Sequence, residues 1–448
     1  MIRLDKQQLE KILAVKITRN SFSIEGIVTD SREVKPGNLF ITWQGENFDG
    51  HKFCQQAVNQ GAAALLINRP LTIDVPQIIV EDSIFALGRL AAYWRDRFSI
   101  PVIGVTGSNG KTTVKNMLSA ILQEVYGNKF LAPKKSYNNH VGVPLTLSAL
   151  ALDHQAAIIE MGMNHFRELS YITKLAKPTV AMITNAGPSH LAGVGDIAGV
   201  AKAKGEIIEG LAPEGTAILN VDDAYFSYWQ GLLSGQRVIS FGLEQPAMVT
   251  AKAIHLSPEG CKFLLVTPQG EKPVCLPLLG KHNILNALAA SAAALAININ
   301  LEAIKAGLEK VEPENRRLQR KAGYHGALLI DDSYNANPNS MHKAIDVLKQ
   351  FPGKRFLLIG DMRELGPEAK RYHQEIGHYA KEAGIEELYA VGDLMQNAVQ
   401  AFGNNAKHFD QKINMTSAVK PFLDKNSVVL VKASLSMGFD EVITQLSQ

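Results

Sequence analysis

The sequence predicts an α/β protein of three domains: a small N-terminal α/β domain over residues 1–97, a central P-loop-type parallel-sheet domain over 98–312, and a C-terminal Rossmann-like doubly wound domain over 313–448. Three observations lead there. The 448 residues amount to about three domains at roughly 150 residues each. Short apolar runs alternate with helix-period segments, as in βα units. A Gly-rich loop also joins a strand to a helix just beyond residue 104.

Composition narrows the class. Lys and Arg number 46 against 43 Asp and Glu, a net charge of +3, with 46% hydrophobic and 20% charged residues, which excludes wholesale disorder. So mild a basic balance gives no reason to expect a nucleic-acid partner. Cys54, Cys261 and Cys275 are odd in number and form no C-x-x-C pair, against a disulfide framework or a zinc site. The N-terminal MIRLDKQQLEKILAV is charged and helix-like rather than a secretory leader. The longest apolar run, Ala287 to Ile297 interrupted by Ser291, is too short for a bilayer. A soluble cytoplasmic protein with no membrane partner is expected, and a monomer.

Taken in order, the first piece offers the strand-like runs LFITW, AAALLI and QIIV, separated by turn-rich KPGN and ENFDG, then a helix from Ser83 to Arg97. After Phe98-Ser99-Ile100-Pro101 the strands VIGV, AAIIE and VAMIT alternate with helical segments, to about Glu312-Pro313. The last piece repeats strand then amphipathic stretch: ALLIDD, RFLLIGDM, ELYAVGD and SVVLVKA. That is a second doubly wound sheet.

The chemistry begins at Gly104-Val-Thr-Gly-Ser-Asn-Gly-Lys-Thr-Thr113. Val114, Met117, Leu118, Ile121, Leu122 and Val125 follow at helical spacing. Gly107 and Gly110, around Ser108 and Asn109, let backbone N–H groups approach phosphate oxygens; the helix start adds positive charge, Lys111 reaches the β/γ-phosphates, and Thr112, followed by Thr113, suits Mg²⁺. This is a nucleotide triphosphate cradle. Val105 stands where the general G-x-x-x-x-G-K-[ST] pattern has its first glycine, and the bland alternative is a Gly-rich strand-to-helix turn with an exposed lysine.

Ligands of open α/β sheets sit beyond the carboxyl ends of strands. Glu160 ends AAIIE, His190 lies just past VAMIT in NAGPSH, and Thr112 starts the helix after the loop. Together they suit a Mg²⁺ site completed by phosphate and water. Taken singly, a Glu at a strand end is more often a cap or surface charge and a His more often a structural group. Lys204, in DIAGVAKAKGEIIEGL, reads on composition alone as a solvated helix residue.

GVTGSNGKTT, EMG at 160–162, His190, AKAKGE at 201–206, KHNILNALAA at 281–290, NRRL at 315–318 and DDSYNANP at 331–338 together resemble the Mur ligase family. TDSR at 29–32, PGNLF, DGHKF, YNNHVGVP at 137–144 and GDMRELG at 360–366 extend the likeness over nearly the whole chain. DDSYNANP, where the branch adding the third peptide residue is expected to carry a DYAHTP-like segment, points to the branch that adds a dipeptide. Folylpolyglutamate synthase shares the phosphate loop but would not be expected to carry the TDSR-type first domain. The resemblance implies ATP-dependent joining of D-alanyl-D-alanine to UDP-N-acetylmuramoyl-tripeptide in cytoplasmic peptidoglycan precursor synthesis, through an acyl phosphate, with two Mg²⁺ sites. It implies that Lys204, rather than Lys202, is carbamylated; as an anion it would organise the second Mg²⁺.

By the same resemblance Asn283 contacts nucleotide, with an N-cap as its compatible alternative. Arg317, beside Arg316, reaches ATP on closure, and Asp332, Asn335 and Asn337 face the nucleotide. Ser31 and Arg32 serve UDP, and Asn138 and Asn139 the peptide arm. Two stretches depart from the pattern: Arg167-Glu168-Leu169 stands for an expected Gly-Glu-Ile, and Lys432-Ala433-Ser434-Leu435 for KGSR, leaving any carboxylate clamp there without its arginine. The alternatives are a sister ligase adding a single amino acid, a P-loop ATPase or kinase, and a non-catalytic nucleotide-binding module.

Overall fold

The structure is a computed structural model that describes residues 1–19, 21–45, 48–133 and 137–447. Glu46 and Asn47 of the expected ENFDG turn lie outside the described residues.

In the first unit four short parallel strands, Ile27–Val28, Leu39–Ile41, Ala64–Ile67 and Gln77–Ile79, pair in chain order. Arg3–Asp5 and Ser23–Glu25 form a separate antiparallel pair. Helix Ser83–Arg95 ends two residues before its expected limit. There the Arg95 guanidinium turns inward and donates to the carbonyls of Ala176, Phe98 and Lys177. Leu87 and Leu90 of this helix share one hydrophobic core with Leu147 and Ile172 of the central unit.

The central sheet has six parallel strands in the order Arg237–Phe241, Thr216–Asn220, Val180–Ile183, Val102–Thr106, Ala156–Glu160, Phe130–Leu131. Its inner strands are buried on both faces, which accounts for their unbroken apolar runs. Helix Lys111–Tyr126 buries Val114, Met117, Leu118, Ile121 and Leu122 as expected, but Val125 is 41% exposed. Helix Leu301–Glu309 lies so close that a Cβ on Gly307 would sit 2.5 Å from Ile121 Cα.

One element departs from the parallel reading: Thr250–Ser257, Gly260–Thr267 and Gly270–Leu276 form a separate antiparallel sheet. The Ala-rich run lies in helix Lys281–Ala296, with Ala287–Leu295 buried. No helix among the described residues is long and apolar enough to cross a membrane.

The third unit is a six-stranded sheet in the order Gln319–Ala322, Leu328–Asp331, Ser427–Lys432, Lys354–Gly360, Glu387–Val391, Ala406–Phe409, parallel except for its first pair. Its inner strands carry the four expected runs.

Candidate functional site

Register explains why the distant motifs meet. Strand Val102–Thr106 is central, with Glu160 opposite Val105 on one side and Ile183 opposite Thr106 on the other. The loop at 107–110 therefore emerges between Glu160 and the NAGPSH segment, at the carboxyl edge of the sheet.

That segment fixes the loop. Ser108 N donates to Asn185 O, Asn109 N donates to Asn185 Oδ1, and Thr184 Oγ1 donates to Asn109 O at 2.6 Å. Gly110, at φ +87°, is the residue before helix Lys111–Tyr126, and no side chain caps that helix. The first-turn N–H groups, which an α-helix cannot satisfy internally, are thus open to an anion. Lys111 Nζ donates to Gly107 O at 2.6 Å, held over the loop. Burial lowers its pKa, Arg317 adds to the lowering, and Glu160 opposes it.

Glu160 is 1% exposed. Its Oε1 accepts from Asn138 Nδ2 at 2.9 Å and from Thr112 Oγ1 at 3.4 Å, while Oε2 is buried with no hydrogen-bond partner. A buried carboxylate oxygen without a donor is costly, and a cation beside Thr112 would satisfy it. No group of three or more His, Cys, Asp and Glu side chains that could hold a metal occurs among the described residues. This donor set fits a Mg²⁺ that keeps water and phosphate oxygens.

His190 sits at φ +56°, a conformation costly for a side-chain-bearing residue, and its Nδ1 is 2.9 Å from Glu364 Oε2 of the C-terminal unit. Burial lowers its pKa first, then the charges of Lys111 and Lys204. Lys204, on helix Ile197–Gly205, is 1% exposed and not the solvated residue its composition suggests. Its ammonium has no hydrogen-bond partner among the described residues. Burial, with Lys111 nearby, holds its amine well below the usual lysine range.

Facing this edge is the third unit, and the cleft between them encloses about 580 Å³, within the range of small-molecule sites. Arg317 Nη2 donates to Thr112 Oγ1 at 3.3 Å and its guanidinium lies 4.2 Å from the Tyr334 ring centroid. Arg316 turns away to Ser333 and Asp440. Asn337 caps helix Pro338–Leu348 through Oδ1 and donates Nδ2 to Asn109 Oδ1 at 2.9 Å, joining the two units.

Asp332 accepts from Lys432 Nζ at 2.6 Å; burial raises its pKa and Lys432 works against the shift. Asn335 and Thr113 line the cleft. Asn283 lines it as well but is not an N-cap: Gly280 holds that position, and Asn283 Nδ2 donates to Leu279 O.

The remaining expected residues are placed differently. Ser31, 3.0 Å from Gln56 through its hydroxyl, and Arg32, paired with Asp30 at 2.6 Å, lie in the first unit outside the cleft. Asn138 lines the cleft. Asn139 Oδ1 instead accepts from Val141 N and Gly142 N, which commits its oxygen to the start of helix Gly142–Ser148. Sequence reasoning passed over Thr184, Asn185, His282, Lys343 and Arg363, which all line the cleft. The strand-end argument that selected His190 would have reached Asn185.

Sequence models match the whole arrangement: the Mur ligase family, catalytic domain, over residues 23–97, the Mur ligase middle domain over 105–294, and the Mur ligase, glutamate ligase domain, over 316–435. The UDP-N-acetylmuramoyl-tripeptide–D-alanyl-D-alanine ligase of Escherichia coli (strain K12) is 40% identical, covering 100% of this chain and 99% of its own length. Its namesake from Haemophilus influenzae is also 40% identical, covering 100% and 99%. A crystal structure of MurF from Acinetobacter baumannii superposes with a TM-score of 0.93 at 34% identity, covering 98% of each chain. On these three domain matches and the full-length relatives, the chain belongs to the Mur ligase family.

Proposed function

We propose that this enzyme joins D-alanyl-D-alanine to UDP-N-acetylmuramoyl-tripeptide in peptidoglycan precursor synthesis, forming ADP and phosphate. The terminal carboxylate of the tripeptide attacks the γ-phosphorus of ATP and ADP departs, leaving an acyl phosphate. The dipeptide amine then attacks the acyl carbon, loses a proton and expels phosphate. Two relatives 40% identical over the full length bear the name of this activity. Ser31 and Arg32 of the first unit would hold UDP, Asn138 the peptide arm, and the third unit the dipeptide.

The obstacle is bringing one anion onto another. Lys111 and the open N–H groups of helix Lys111–Tyr126 offset phosphate charge from one wall, and Arg317 from the other. Asn283, Asp332, Asn335 and Asn337 would orient the nucleotide. Mg²⁺, when bound, supplies further charge neutralisation at the phosphates; Thr112 and Glu160 would hold it. His190 and a carbamylated Lys204 would serve a second Mg²⁺. A carbamate forms when a neutral amine attacks CO₂ and loses a proton, and the depressed pKa of Lys204 favours that neutral amine. The thiols Cys54, Cys261 and Cys275 are free, which suits the cytoplasm.

The observation that carries the reading is the meeting of Lys111, Thr112 and Glu160 with Arg317 and Asn337 in one cleft. Its test is phosphate release with each substrate omitted in turn and products identified by mass. Phosphate and the condensed peptide are expected only with all three substrates. Equal turnover with ATP alone, or with single amino acids in place of the dipeptide, would contradict it.

A further inference from the structure

The loop after strand Lys354–Gly360 forms part of the cleft wall and is anchored at three points. Met362 N donates to His373 Nε2 at 3.0 Å, Arg363 N donates to Ser434 Oγ at 2.9 Å, and Glu364 reaches across to His190. Arg363 and Glu364 are consecutive, so one points a guanidinium and the other a carboxylate from the same rigid stretch of wall. Glu364 occupies the side facing the proposed reaction centre.

Three of the other cleft cations have partners, and Lys343, on helix Pro338–Leu348, has none among the described residues but is a point charge rather than a planar fork. Lys432 is committed to Asp332, Arg317 to Thr112 and Tyr334, and Lys111 to the phosphate loop. Of the two cleft guanidinium groups Arg363 is the one whose side chain meets only a thioether, Met437 Sδ at 3.5 Å, with no carboxylate partner among the described residues. Leu435, 53% exposed, lies in the same wall and offers apolar surface.

We infer that Arg363 binds the free carboxylate of the incoming D-alanyl-D-alanine, with Leu435 against its alanyl methyl groups. The assignment rests on the ligase reading above and deepens it. A guanidinium matches a carboxylate in a bidentate, planar fork. A dipeptide spans about 7 Å when extended, so a carboxylate held at Arg363 leaves the amine free to lie toward the neighbouring Glu364–His190 side of the cleft. Arg363 thereby acts on which nucleophile enters and where its nitrogen stands, not on the phosphoryl step.

The experiment measures steady-state KM for each substrate in the wild-type enzyme, R363M and R363K, with D-alanyl-D-alanine and with its C-terminal carboxamide. For R363M the KM of the dipeptide should rise roughly 10–100-fold, the usual effect of losing a charge-assisted partner, while those of ATP and the UDP-tripeptide stay level. Wild type should strongly prefer the acid, R363M should use acid and carboxamide alike, and R363K should recover part of the preference. A rise confined to the KM of ATP or of the UDP-tripeptide, or a wild type indifferent to the carboxamide, would overturn the assignment while leaving the ligase reading intact. Wild-type enzyme that makes no dipeptide-dependent product would overturn both.

Discussion

Lys204 concentrates the account at the scale of a residue. A cation 1% exposed, with no hydrogen-bond partner among the described residues, is expensive to keep charged, and the alternative available to a lysine is to become neutral and take up CO₂. Arginine keeps the length and cannot lose its proton. Lys204→Arg should therefore cut ligation by roughly 10²–10³-fold, the scale of one preorganised electrostatic group, and lack the carbamate resonance that the proposed modification predicts for wild type in ¹³C-bicarbonate. Full activity of that variant at limiting bicarbonate would remove the role. His282 behaves oppositely to an exposed histidine: burial, then Lys343 and Lys432, push its pKa down to about 3. The unfolded chain takes up a proton near pH 6.5 that the native site refuses, so this residue makes stability fall as pH drops from about 6.5 toward 3. NMR should show its ring neutral at pH 5; titration near 6.5 would contradict the buried neutral assignment.

At the scale of elements, the phosphate loop depends on two glycines in left-handed or extended-positive backbone. A Cβ on Gly107, at φ +150°, would lie 1.8 Å from Thr184 Oγ1, and one on Gly110, at φ +87°, 2.4 Å from Asn286 Oδ1. Gly110→Ala should weaken ADP binding, measured by calorimetry, by roughly tenfold or more through backbone strain and the displaced Asn286; unchanged affinity would mean that the loop is not the nucleotide cradle. Val105 matters less to this geometry than the general motif suggests, because Gly107 supplies the freedom inside the loop.

Elements buried on both faces, such as Ala156–Glu160 and Ser427–Lys432, were legible because burial leaves an uninterrupted apolar run. The antiparallel sheet of Thr250–Ser257, Gly260–Thr267 and Gly270–Leu276 was not, since its first strand buries no residue and the other two bury theirs only in part. Its only local signals are the turns at Pro258-Glu259 and Pro268-Gln269. Lys204 was misjudged for a related reason: helix Ile197–Gly205 ends against Trp229, whose indole donates to Ala201 O, and nothing local announces that cover.

For the whole molecule, function depends on contacts no single unit makes. Asn337 to Asn109, Arg317 to Thr112 and Glu364 to His190 bring three segments of the C-terminal unit onto the phosphate loop and the strand edge. Across separations of more than 170 residues in sequence, the resemblance placed Arg317 and Asn337 toward the nucleotide but gave no role to Glu364, because periodicity and turn chemistry say nothing about which sheet edges face each other. Closure of this kind keeps water from an acyl phosphate until the amine arrives. The decisive measurement follows the oxygen atoms. With ¹⁸O in both oxygens of the tripeptide's terminal carboxylate, an acyl phosphate requires one label to leave in inorganic phosphate and the other to remain in the new amide. Phosphate free of ¹⁸O, released alongside ligated product, would contradict phosphorylation of that carboxylate and the account built upon it.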